Sequence, residues 1–167
     1  MNSPSMDAGW NFVEGPIDGV VLRPLDVRSD SRGWLVELFR NDELPEGQRP
    51  VMSYVSETLP GIARGPHEHT EQDDHFAFIG PGDFMLYAWD TRTDSPSRGR
   101  RMKFPAGASH PLCVVVPHGV VHAYRNCGEV PGWVFNAPNR LYAGEGRQSA
   151  VDEIRHEERR DTCFVLD

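Results

Sequence analysis

Cysteine is scarce: Cys113, Cys127 and Cys163 are an odd number with no C-x-x-C spacing. That argues against a disulfide framework or a zinc knuckle and makes a reducing compartment the default. No apolar run approaches the ~18 residues a membrane helix needs, and no signal-peptide pattern opens the chain. Helical periodicity is nearly missing. Its single candidate is a short C-terminal segment over residues 150–160, where Glu153 and Glu157 repel each other at i,i+4. Basic charge is also in short supply, with 17 Lys and Arg against 25 Asp and Glu and a formal net charge of −8. Such a balance disfavours nucleic acid and anionic membrane as partners, but allows a local basic pocket for one phosphate-bearing ligand. A soluble, cytoplasmic protein is the expectation.

What the chain has in quantity is turns. Sixteen glycines and 14 prolines in 167 residues punctuate short runs with strand character. Residues 1–15 read as a flexible, polar N-terminal arm and residues 16–167 as one domain with a real core. Trp34 to Phe39 alternates as strands do, setting Glu37 on the same face as Leu35 and Phe39. Further strands fall at 51–58, 75–79, 84–89, 102–104, 112–116 and 133–135, so the fold class is all-β, a sandwich or barrel.

Two histidine-bearing stretches stand out. In the first, Gly61 is followed after five residues by His67, then His69, Asp73 and Gly80; in the second, Pro117, Gly119, His122 and Asn126 recur at fixed spacing. Residues i and i+2 of a strand face one side, so His67 and His69 point together. With His122 and Asp73 they offer three imidazoles and one carboxylate, a set that suits a divalent transition metal ion. The alternative is that the histidines are polar liners of a pocket. The spacing of both stretches resembles the two motifs of the cupin superfamily, which implies a jelly roll or double-sheet β-barrel.

A closer resemblance covers about Ile17 to Tyr142. It rests on Asp30-x-Arg32-Gly33-Trp34-x-x-Glu37, Ser56-x-Thr58-x-x-Gly61-x-x-Arg64-Gly65-x-His67, Asp90-x-Arg92-x-x-Ser95-Pro96 and Val116-Pro117-x-Gly119-Val120-x-His122. In this order they are similar to the dTDP-4-dehydrorhamnose 3,5-epimerase family. The resemblance implies a homodimeric cupin without a metal cofactor, which moves protons beside the C4 ketone of a deoxysugar nucleotide. It makes His67 the general base, matches His122 to the family's histidine after the Pro-x-Gly turn, and assigns Arg32, Glu37, Arg64 and His75 to the substrate; His69, a further catalytic candidate, stands where the family has glutamine. A neutral imidazole suits proton removal next to a ketone. The family's acid tyrosine would fall within Trp133 to Asn136, where this chain has none, and its phosphate-binding lysine falls at His75. Among the remaining tyrosines, Tyr87, Tyr124 and Tyr142 are candidate substitutes.

The reading is a sugar-nucleotide isomerase or epimerase acting through His67. The alternatives are a 3,4-ketoisomerase-type variant using the His67 and His69 pair, a metal-dependent oxygenase or isomerase holding its ion through His67, His69, Asp73 and His122, and a binding module that kept only the sugar pocket.

Overall fold

A computed structural model describes residues 9–167. Thirteen strands follow in chain order: β1 (Val13–Glu14), β2 (Val21–Pro24), β3 (Arg28–Asp30), β4 (Gly33–Leu35), β5 (Tyr54–Thr58), β6 (Ala63–Glu68), β7 (Asp74–Phe78), β8 (Asp83–Asp90), β9 (Arg100–Gly107), β10 (Leu112–Val116), β11 (Val120–Asn126), β12 (Gly132–Asn136) and β13 (Ile154–Arg155). A six-stranded sheet runs β1-β9-β8-β11-β6-β13 and a five-stranded sheet β2-β10-β7-β12-β5, with β3 and β4 as a separate hairpin. All ladders are antiparallel except β1 with β9. No helix in the described residues is long and apolar enough to cross a membrane.

The central strands of both sheets are covered on both faces, so they carry apolar side chains at successive positions instead of alternating with polar ones. Phe84, Leu86 and Ala88 of β8 point inward to meet Phe76 and Phe78 of β7, Val114 of β10 and Val134 of β12. The intervening Tyr87 and Trp89 point outward beside Val121, where Phe164 and Phe12 cover them. On the far side, Leu25, Val36 and Leu38 lie over Ala77, Cys113 and Phe135. Burying a side chain of this size stabilises by roughly 1.5–3 kcal/mol, so the two covers are part of the core.

Three expectations change. Residues 150–160 form no helix; Ile154 and Arg155 pair with Glu68 and His67, because tertiary pairing offers their backbone partners that a weakly favourable helix would not. Of the expected arm, residues 1–8 lie outside the described residues. The rest is tied down: Val13 pairs with Arg100, and Phe12 stacks on Trp10 and packs against Phe164. The strand expected through Phe39 ends at Leu35.

Candidate active site

Between the sheets opens a cavity of about 1400 Å³, walled on one side by β6 and on the other by β5. Strand β6 carries the histidine motif, and its backbone breaks step at the site. His122 pairs with His67, but Tyr124 pairs with Arg64, so two residues of β6, Gly65 and Pro66, stand opposite the single Ala123. This bulge has a consequence that alternation alone would deny. Residues three apart should face opposite ways, yet Arg64 and His67 both line the cavity. Gly65 makes the bulge possible, with φ +78° and no room for a Cβ.

His67 and His69 line the floor, and His122 is buried directly behind them. The rings of His67 and His122 are 4.4 Å apart between centroids, and those of His67 and His69 are 5.5 Å apart. The carboxylate beside them is Asp74. On β7, Asp74 shares the inward face with Phe76 and Phe78, and its Oδ2 lies 3.2 Å from Nε2 of both His69 and His122. Its Oδ1 accepts from Gln72 Nε2 at 2.9 Å and from Asn136 Nδ2 at 2.8 Å. Asp73, the residue favoured by motif spacing, is directed elsewhere. It accepts from the backbone and ring nitrogens of His118, both at 2.8 Å, and from Asn139. The motif tolerates either neighbour, and only the phase of β7 separates them.

The charges follow from these contacts. Burial, reinforced by the neighbouring imidazoles of His122 and His69, pushes His67 down to about 2, so its ring is neutral with a lone pair available. Burial also works against a charge on His69, but its ion pair with Asp74 and its bond to the Asp152 carbonyl outweigh that and raise it to about 9. Burial alone would raise Asp74; the hydrogen bonds and charges of His122 and His69 hold it well below the ordinary carboxylate range. The site at neutral pH is thus a His69 imidazolium against an Asp74 carboxylate, beside a neutral His67. His122 donates Nδ1–H to the Val120 carbonyl at 3.0 Å.

Arg64 crosses toward the facing sheet, donating to Thr58 Oγ1 at 3.0 Å and to the Glu57 carbonyl at 2.7 Å. The loop that lines the cavity mouth carries Arg140 and Arg147 with Glu145 between them, and Arg147 and Ala143 hold left-handed backbones there at φ 58° and 55°. Such conformations are costly outside glycine and concentrate at functional sites. Asp152 clamps this region by accepting from the backbone amides of Thr70, Glu71 and Gln72 at 2.8–3.0 Å.

Other expected substrate ligands lie elsewhere. His75 is one residue out of phase with Asp74, so it faces the outer side of the five-stranded sheet and a separate pocket of about 360 Å³ with Cys113 and Phe135. Arg32 and Glu37 are exposed outside the cavity, paired with Asp30 at 2.6 Å and Arg40 at 3.7 Å. Sequence reasoning missed Asp74, Asp152 and Tyr54. For Asp74 the signal existed in the alternation of Asp74, Phe76 and Phe78; for the other two there was none. Asp90, with Arg92, Ser95 and Ser97, forms a buried turn and does not line the cavity.

Two packed sheets enclosing an imidazole-lined cavity are the cupin architecture, and the motifs in this barrel place it among enzymes of nucleotide-linked sugars. The chain belongs to the dTDP-4-dehydrorhamnose 3,5-epimerase family, whose model matches residues 14–150. It is 37% identical over 127 residues to a Haloferax volcanii protein named "Probable low-salt glycan biosynthesis epimerase Agl13", covering 75% of this chain and 81% of that one. It is 36% identical over 115 residues to the spore coat polysaccharide biosynthesis protein SpsL of Bacillus subtilis, covering 69% and 75%. The crystal structure of a dTDP sugar isomerase from Desulfovibrio desulfuricans shares the fold, with a TM-score of 0.76 and 20% identity over 90% of this chain and 91% of that one.

Proposed function

We propose that the protein is an epimerase of a nucleotide-linked 4-keto-6-deoxyhexose, in which His67 removes the proton from a carbon beside the ketone. The observation that carries this is the β6 bulge, which sets the imidazole of His67 and the guanidinium of Arg64 on one cavity wall. His67 accepts the proton, and Arg64 stands where it can stabilise charge developing on the enolate oxygen. Arg140 and Arg147 at the mouth suit the diphosphate in place of the distant His75. In deuterated water, such a nucleotide should gain deuterium at C3 or C5, and His67→Asn should stop the exchange while leaving the circular dichroism unchanged. Exchange at wild-type rate in that variant would refute the assignment.

A metal-dependent reading is favoured by one feature. Ligand atoms of His67, His69, Asp74 and His122 all lie within 4.8 Å of one another. Three imidazoles and a carboxylate fit a divalent transition metal, although His69 would have to release a proton from Nε2 to serve. Bound there, an ion would polarise a substrate carbonyl as a Lewis acid. Elemental analysis of protein purified without chelators decides: this reading needs near-stoichiometric metal that His69→Ala removes, and full activity in metal-free protein dismisses it.

A homodimer belongs to the proposal. Trp34 and Leu35 on the β3–β4 hairpin are 60% and 66% exposed, apolar surface that a second copy would cover. Light scattering should give twice the 18.8 kDa chain mass.

A further inference from the structure

Inverting a carbon requires a proton donor on the face opposite the base, and the structure assigns that role to Tyr54. The inference rests on the epimerase reading. His67 and His122 belong to the six-stranded sheet, so the donor must come from the five-stranded one. Strand β5, its edge, turns Tyr54 and Ser56 toward the cavity. Face-to-face sheets stand about 10 Å apart, a gap that accepts a sugar ring between the two groups.

Asn136 fixes the phenol. It is the cross-strand partner of Tyr54 in the β5–β12 ladder. Its Oδ1 accepts from the backbone N–H of His75 at 3.1 Å, which leaves Nδ2 to donate to Asp74 Oδ1 at 2.8 Å and to the Tyr54 oxygen at 2.9 Å. The Tyr54 oxygen is thereby an acceptor, and its own hydrogen finds no acceptor among the described residues, so it is free for the cavity. Burial, only partly countered by the Asn136 bond, raises the phenol to about 12, which keeps its proton in place until a carbanion demands it. The other cavity tyrosines fit less well. Tyr124 lies on β11 beside His122, 5% exposed and caged by Phe76, Phe78 and Phe84. Tyr54 is itself 47% exposed, but Asn136 holds its oxygen, whereas Tyr142 is 57% exposed in the mouth loop and its phenol has no hydrogen-bond partner among the described residues.

The step balances. His67 takes the proton as the C–H bond breaks and the ketone becomes an enolate. The Tyr54 O–H bond then breaks as a new C–H bond forms on the opposite face and the enolate returns to the ketone. The phenolate and the imidazolium that remain exchange one proton each with solvent.

Without the phenol, His67 can return a proton only to the face it came from. Tyr54→Phe should therefore keep deuterium incorporation at the reacting carbon within a few-fold of wild type, while inverted product falls about 100-fold or more. Tyr124→Phe and Tyr142→Phe should retain inversion. Inverted product at wild-type rate from Tyr54→Phe, or its loss from either control instead, overturns the assignment to Tyr54 and leaves the base intact. An absence of exchange in the wild-type protein removes both.

Discussion

Replacing Gly65 by alanine tests the bulge on which the site depends, and Gly61 supplies the control. The two glycines hold nearly the same left-handed backbone, φ +78° and +75°. An alanine pays about 1 kcal/mol for that conformation at either place. Their surroundings differ. A Cβ on Gly61 meets nothing within 4 Å, whereas one on Gly65 falls 2.5 Å from the His122 carbonyl oxygen and 2.9 Å from His67 Nδ1, against the 3.4–4 Å of ordinary contact. Backbone must move by about an ångström to relieve this, and overpacking of that kind adds roughly 1–3 kcal/mol. Urea unfolding should thus show Gly61→Ala weakened by about 1 kcal/mol and Gly65→Ala by about 3 kcal/mol. Because the displaced atoms belong to His67 and its cross-strand partner His122, turnover should fall steeply in Gly65→Ala and stay near wild type in Gly61→Ala. Equal midpoints for the two variants, or full activity in Gly65→Ala, would refute the reasoning.

Asp74→Asn should remove the ion pair with His69. A rise from 6.5 to about 9, to which Asp74 contributes most and Asp152 a part, corresponds to about 3 kcal/mol at about 1.4 kcal/mol per pKa unit. His69, raised when folded, contributes stability that is complete below 6.5 and lost as pH climbs through about 9; Asp74, lowered when folded, contributes above 3.8 and loses it as pH falls. The stability gap between wild type and variant should therefore be widest from about pH 4 to 6.5 and close toward pH 9, and a gap constant with pH would count against the pair. Asp90→Ala leaves the hydroxyls of Ser95 and Ser97 and the Arg92 guanidinium without their shared acceptor. It should cost roughly 3 kcal/mol in thermal or urea unfolding, without changing kcat per folded molecule. His75→Ala should leave KM unchanged, since the ring faces the outer pocket; a several-fold rise in KM would restore His75 to the substrate site.

The separation of Asp74 from Asp73 shows where the two levels of information part. Swapping the carboxylate between adjacent residues changes no composition and barely alters motif spacing, yet one residue reverses which side of the sheet a side chain meets. The same one-residue difference in phase turns His75 to the outer side of the sheet. At the bulge the opposite happens, and Arg64 joins His67 only because two residues of β6 stand against one of β11.

By itself the sequence determined the fold class, the single histidine cluster and the family, because turn residues, apolar strand runs and ordered motifs are local properties of the chain. The tertiary structure decided which carboxylate meets the imidazoles, that the C-terminal segment joins β6 as a strand, and that Tyr54 pairs with Asn136 across β5 and β12 in the other sheet. Those depend on strand phase and on which strands become neighbours, and residues as distant along the chain as Tyr54 and Asn136 carry no local mark of the pairing that brings them together.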